Sequence, residues 1–121
     1  MPDVDFSKYL HGASEKYRDC MAACAECLVA CEMCSDACLG EEEVRSLAHC
    51  IRLDRSCAEA CDAALRAMAR GSWQAPQFCR LCAEMCELCA GECERHAHHD
   101  HCRICAEACR RCAEECRKMA A

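Results

Sequence analysis

Residues 79–93 read CRLCAEMCELCAGEC, and residues 102–116 read CRICAEACRRCAEEC. The cysteines of both follow the spacing C-x2-C-x3-C-x2-C-x3-C: Cys79, Cys82, Cys86, Cys89 and Cys93 in the first, Cys102, Cys105, Cys109, Cys112 and Cys116 in the second. Alternating steps of three and four residues trace a stripe down one face of an α-helix, where such side chains stand above one another. That stripe normally carries Leu, Ile and Val toward a core. Here it carries thiols alone. The two segments also superimpose in their Arg, Ala and Glu positions, which makes them an internal repeat.

Upstream, Cys24, Cys27, Cys31, Cys34 and Cys38 keep the same spacing, preceded by Cys20, Tyr17 and Ala13. This predicts a first helix over about 14–39 with Ser14 as its N-cap. Gly40 is its stop, and Glu41, Glu42 and Glu43 suit the first turn of the next helix by complementing its dipole. A second helix, about 42–70, is a degenerate copy. Its stripe reads Leu47, Cys50, Asp54, Cys57, Cys61, then Ala64 and Met68, with Leu and Asp where two sulfurs would stand. Gly71 closes it, and Ser72, Trp73 and Pro76 turn the chain into a third helix, about 76–95. The segment HAHHDH (96–101) leads to a fourth, about 99–119, with Asp100 as N-cap. Residues 3–11 predict a short leading helix that packs Phe6 and Leu10 onto the body.

Four helices with short connections and one inward stripe each predict an all-α fold. The architecture is an antiparallel up-down-up-down four-helix bundle, a single domain spanning 1–121, with a Cys-lined core. The topology brings the 1–2 and 3–4 connections to one end, with Cys38, His49, His96, His98, His99 and His101. The opposite end collects Phe6, Leu10, Tyr17, Leu65, Met68, Trp73 and Phe78, an apolar plug.

Composition agrees. The 121 residues include 19 Cys but only 4 Gly and 2 Pro. Val, Ile, Leu and Phe together fall below the ~20% under which a charged chain struggles to build a core. Neutral thiols, which pack as small hydrophobes, must supply the deficit. The net charge of −6 is mixed and lacks basic clusters interleaved with aromatics, so no nucleic-acid partner is expected. The opening MPDVDFSKYL has no basic and apolar leader pattern, and no apolar run approaches the ~20 residues of a membrane span. A cytosolic location is expected, where thiols stay reduced.

Four uses of so many inward thiols compete. A disulfide scaffold would be loop-rich and would leave an odd thiol unpaired. Redox or iron–sulfur chemistry would need a thioredoxin-like βαβ setting or the ferredoxin spacing, and neither is present. Zinc prefers separate closed sites of four ligands, which does not explain a continuous ladder. Copper(I) is a soft ion suited to thiolates. A C-x3-C pair sets two sulfurs on neighbouring turns of one helix, able to clamp such an ion. These pairs begin at Cys20, Cys27, Cys34, Cys57, Cys82, Cys89, Cys105 and Cys112. Buried thiolates demand cations, and one monovalent ion per thiolate neutralises them site by site. Copper is favoured, with a zinc- or cadmium-sequestering buffer and a transient copper carrier as alternatives. No nucleophile–base pair or open catalytic metal position can be read, so an enzyme is not expected.

The ladders and the His-rich connection between the last two helices resemble the cytosolic copper storage proteins of bacteria, small bundles whose Cys-lined cores fill with Cu(I). The resemblance implies multiple Cu(I) ions per chain in thiolate-bridged clusters on the cysteines, on the order of one per Cys. It also implies a homotetramer and copper admission through the His-rich mouth, with His49, His96, His98, His99 and His101 as candidates. Each of these histidines also has a plainer reading as solvated surface. His11 falls at the wrong end. Asp54 in a thiol channel is costly unless paired, and because oxygen is a poor ligand for Cu(I), a hydrogen-bonding role toward Cys or His is expected.

Overall fold

The computed structural model describes residues 12–120. Four α-helices follow in order: α1 Gly12–Leu39, α2 Ala48–Ala69, α3 Ala75–Glu94 and α4 Asp100–Ala120, with a 3-10 turn at Val44–Leu47 before α2. Each helix packs against its two neighbours in a square, α1 on α2 and α4, α3 on α2 and α4, and the diagonal pairs keep their backbones apart. This is the up-down-up-down bundle that the stripes predict. The leading segment with Phe6, Leu10 and His11 lies outside the described residues.

The core is built from sulfur and methyl groups. Every stripe cysteine is buried, and Ala58, Ala83, Ala90, Ala106 and Ala113 fill the flanking positions. Small side chains beside the stripe let the helices approach closely, so sulfurs meet across the diagonal as well as along the sides. Cys27 of α1 lies 3.9 Å from Cys86 of α3, and Cys57 of α2 lies 4.0 Å from Cys109 of α4. Tyr17, Leu47 and Met68 are the bulky buried groups, and all three fall on the stripes. Outside, Arg110 grips Glu94, Arg117 grips Glu87, and Arg111 pairs with Glu26, tying α4 to both of its neighbours. Such exposed pairs set register more than they stabilise.

Helix ends depart from expectation in four places. Asp100, expected as the N-cap of α4, is its first helical residue, and the His99 carbonyl accepts the first helical bond, from Arg103 N–H at 3.1 Å. α1 begins at Gly12, ahead of Ser14, so Ser14 lies inside the helix and not at its cap. The predicted helix from residue 42 begins as a turn and the 3-10 segment, with α2 proper starting at Ala48 and no acidic residue in its first turn. Glu41 and Glu43 are occupied elsewhere, as described below. Trp73, expected in the apolar plug, is 92% exposed, because it sits in the turn beyond Gly71. Gly71 has φ 63°, a left-handed conformation that only glycine adopts without strain. The bonds Ser72 N–H to Ala67 O at 2.9 Å and Gly71 N–H to Met68 O at 3.1 Å complete the α2 stop.

Candidate metal centre

The four stripes converge on the bundle axis, and all nineteen cysteines are free thiols and buried. At the end far from the histidine-rich connection, Cys116 lies 3.6 Å from Cys20 and 3.7 Å from Cys24, and Cys112 lies 3.7 Å from Cys24 and 3.8 Å from Cys82. In the middle, Cys27 has Cys109 at 3.6 Å and Cys31 and Cys57 at 3.9 Å, while Cys57 lies 3.5 Å from Cys86. In five of the eight C-x3-C pairs, those beginning at Cys27, Cys34, Cys82, Cys89 and Cys112, the sulfurs stand 3.9–4.0 Å apart. With metal–thiolate bonds of ~2.3 Å, the edge of a three- or four-coordinate site is about 4 Å. The thiols need little movement to close on an ion.

Sharing is the distinctive feature. Cys27 belongs both to the group Cys27, Cys57, Cys61, Cys86 and to the group Cys27, Cys31, Cys57, Cys109, and Cys31 and Cys109 recur in a group with Cys89 and Cys105. A closed tetrahedral zinc site keeps its four ligands to itself. Here each sulfur faces several others, an arrangement for bridged clusters.

Asp54 interrupts the sulfur lattice and is fully buried. Its Oδ1 accepts from the thiols of Cys89 at 3.2 Å, Cys105 at 3.4 Å and Cys93 at 3.5 Å, and Cys50 approaches Oδ2 at 4.0 Å. Burial first, and then the negative charge that Cys105, Cys89 and Cys50 would carry, push its carboxyl up to about 11. At neutral pH it is an uncharged acid. Burial likewise pushes the Cys38 thiol up to about 11 and raises Cys102. At the metal-free channel mouth Cys38 and Cys102 are therefore neutral thiols, which pack as an apolar core.

At that mouth, Cys34, Cys38, His101 and Cys102 bring their donor atoms together. His101 Nδ1 lies 3.5 Å from both Cys34 Sγ and Cys102 Sγ, and 3.9 Å from Cys38 Sγ. Among the described residues, His101 Nε2 is buried without a hydrogen-bond partner. Above it stand the other histidines. His99 places Nδ1 2.6 Å from Glu41 Oε2 and Nε2 2.7 Å from Glu43 Oε1. His98 Nε2 lies 3.4 Å from the same Glu43 oxygen. His96 is tied to the buried Glu92 at 2.9 Å, while His49 is exposed on α2. Of the five candidate histidines, the structure brings His101 to the thiols, stacks His99 and His98 above it, and sets His96 and His49 apart. Sequence reasoning missed Glu41, Glu43 and Glu92. Three consecutive acids opposite a histidine cluster were the available signal, once the topology had put both connections at one end.

A family model described as copper storage protein matches residues 13–121. An uncharacterized cysteine-rich protein of Bacillus subtilis, YhjQ, is 48% identical over 108 residues, covering 88% of this chain and 99% of that protein. A solved structure of a Cu(I)-bound copper storage protein, BsCsp3, is similar with a TM-score of 0.82 and 48% identity, covering 90% of this chain and 99% of that one. A cytosolic copper storage protein from Streptomyces lividans, in a structure of copper loading with five coppers, is similar with a TM-score of 0.85 and 39% identity, covering 89% and 94%.

Proposed function

The chain belongs to the copper storage protein family, and from that membership we propose that it is a cytosolic store holding many Cu(I) ions on the thiolates of its core. The observation that carries this is the sharing of sulfurs between adjoining donor groups in the middle of the bundle, with all nineteen cysteines buried and free. The ligands in this reading are Cys20, Cys24, Cys27, Cys31, Cys34, Cys38, Cys50, Cys57, Cys61, Cys79, Cys82, Cys86, Cys89, Cys93, Cys102, Cys105, Cys109, Cys112 and Cys116. Each ion displaces a thiol proton as it binds. A monovalent cation leaves each metal–thiolate unit neutral, so filling adds little net charge to a buried channel. A divalent ion shared among the same sulfurs would leave excess charge there.

Loading runs from the histidine-rich mouth. The soft set Cys34, Cys38, Cys102 and His101 takes the ion first, and the C-x3-C pairs then pass it inward from one shared sulfur to the next. In the metal-free channel Asp54 holds Cys89, Cys93 and Cys105 in place by accepting hydrogen bonds from their thiols, and as a neutral acid it adds no charge. His98 and His99 concentrate copper above the mouth, with His96 and His49 more remote. The chain acts by holding ions and not by catalysis. Assembly as a homotetramer would cover the exposed Val29 and Met33 of α1 and Leu81 and Leu88 of α3.

Copper-edge anomalous diffraction from crystals of the loaded protein tests the reading. Peaks strung along the axis, each with about two or three sulfur neighbours, support it. Peaks confined to the mouth would make the protein a carrier, and zinc retained in preference to copper would make it a zinc or cadmium buffer.

A further inference from the structure

Above the thiol channel the mouth carries donors of a different chemical character. His99 Nε2 lies 2.7 Å and His98 Nε2 3.4 Å from the same oxygen, Glu43 Oε1, so two imidazole nitrogens and a carboxylate converge on one point. The rings of His98 and His99 are 4.2 Å apart at their centroids and tilted 41°, which leaves both nitrogens open toward Glu43. The other nitrogen of His99 faces Glu41 Oε2 at 2.6 Å. A carboxylate that takes the far N–H of an imidazole is the usual support of a metal-ligating histidine, fixing its tautomer and raising its basicity.

The geometry also imposes a requirement. An imidazole with its Nδ1 proton given to Glu41 presents a lone pair at Nε2. Glu43 presents another lone pair 2.7 Å away. At that separation a cation is needed, either a second proton, which makes His99 an imidazolium between two carboxylates, or a metal ion beside the pair.

We propose that His98, His99 and Glu43 form a surface site for a divalent first-row cation of borderline softness, such as Zn(II) or Cu(II), distinct from the Cu(I) channel beneath. Two imidazoles and a carboxylate with open positions suit such ions, whereas Cu(I) prefers sulfur and gains little from carboxylate. Glu41 links the two levels. Its Oε2 orients His99, and its Oε1 stands 4.0 Å from the unpartnered Nε2 of His101, the imidazole that faces the thiols. With His98 64% and Glu43 49% exposed in their side chains, the outer site exchanges its ion freely with solvent. An ion there bridges the α1–α2 and α3–α4 connections.

Crystals of the protein soaked in Zn(II) and measured at the zinc edge locate the ion directly, whatever occupies the thiols. A peak within bonding distance of His98 Nε2, His99 Nε2 and Glu43, lost in E43Q crystals while any core peaks stay, is the expected result. No peak at that point, or a peak that survives E43Q, overturns the proposal and leaves an imidazolium held between two carboxylates. In solution, E41Q keeps all three donors and removes only the support of His99. Competition with a zinc chelator should show binding at this site weakened roughly 10–100-fold, and an unchanged affinity would also overturn it.

Discussion

Asp54→Asn preserves the size of a side chain enclosed by Cys50 on α2, Cys89 and Cys93 on α3 and Cys105 on α4, and removes its proton chemistry. In the folded metal-free chain the carboxyl keeps its proton up to about 11, against an ordinary 3.8. The unfolded chain therefore releases a proton that the folded chain retains at every pH between those values. A group raised in this way contributes its full stabilisation below 3.8 and loses it steadily as pH rises toward 11. The slope is one proton, about 1.36 kcal/mol per pH unit. Between pH 5 and pH 7, wild type should thus lose about 2.7 kcal/mol relative to the Asn variant, whose side chain does not titrate. The paired comparison cancels contributions from histidines and surface carboxylates common to both. Urea denaturation of the reduced, metal-free proteins at pH 5, 6 and 7 measures it. Parallel pH profiles would mean that Asp54 is already ionised in the folded channel, and the neutral-acid description would fail.

Replacing His96, His98, His99 and His101 together by Ala should slow Cu(I) uptake while changing capacity little, because the thiols remain; stopped-flow mixing with a Cu(I) donor reads the rate, and equal rates would refute a loading role. Leu47→Ala opens a cavity at a fully buried stripe position and should cost on the order of 2–5 kcal/mol of metal-free stability; denaturant midpoints check this, and a loss under ~1 kcal/mol would mean that the mouth collapses around the gap. Circular dichroism of the metal-free protein should already show the full helical signal, since neutral thiols and Ala complete the core without copper. A coil that folds only on adding metal would contradict the burial argument.

The bundle was legible because its core residue is conspicuous. A stripe of Leu and Ala would have left register open, but alternating three- and four-residue steps of Cys identify the inward face of each helix almost residue by residue. The degenerate second stripe was legible for the same reason, and Leu47, Asp54 and Met68 sit on the axis where the template puts them. What the template did not reveal were contacts between distant connections. Glu41 and Glu43 read locally as dipole-complementing residues of a helix start. In three dimensions they face His99, and Glu43 also faces His98, 55 residues away in sequence. That competition helps explain why the chain turns through a 3-10 segment before α2 begins. Trp73 followed the same pattern in reverse. A large aromatic next to a helix end suggests core, yet the left-handed Gly71 directs the turn outward and leaves the indole in solvent.

The central claim is tested most directly by anaerobic titration of the fully reduced protein with Cu(I) against a competing Cu(I) chelator, with Zn(II) run in parallel. A storage core requires the protein to withhold on the order of one Cu(I) per cysteine before the chelator acquires copper. Saturation after only about one or two ions, or tighter retention of Zn(II) at about four cysteines per ion, would contradict it.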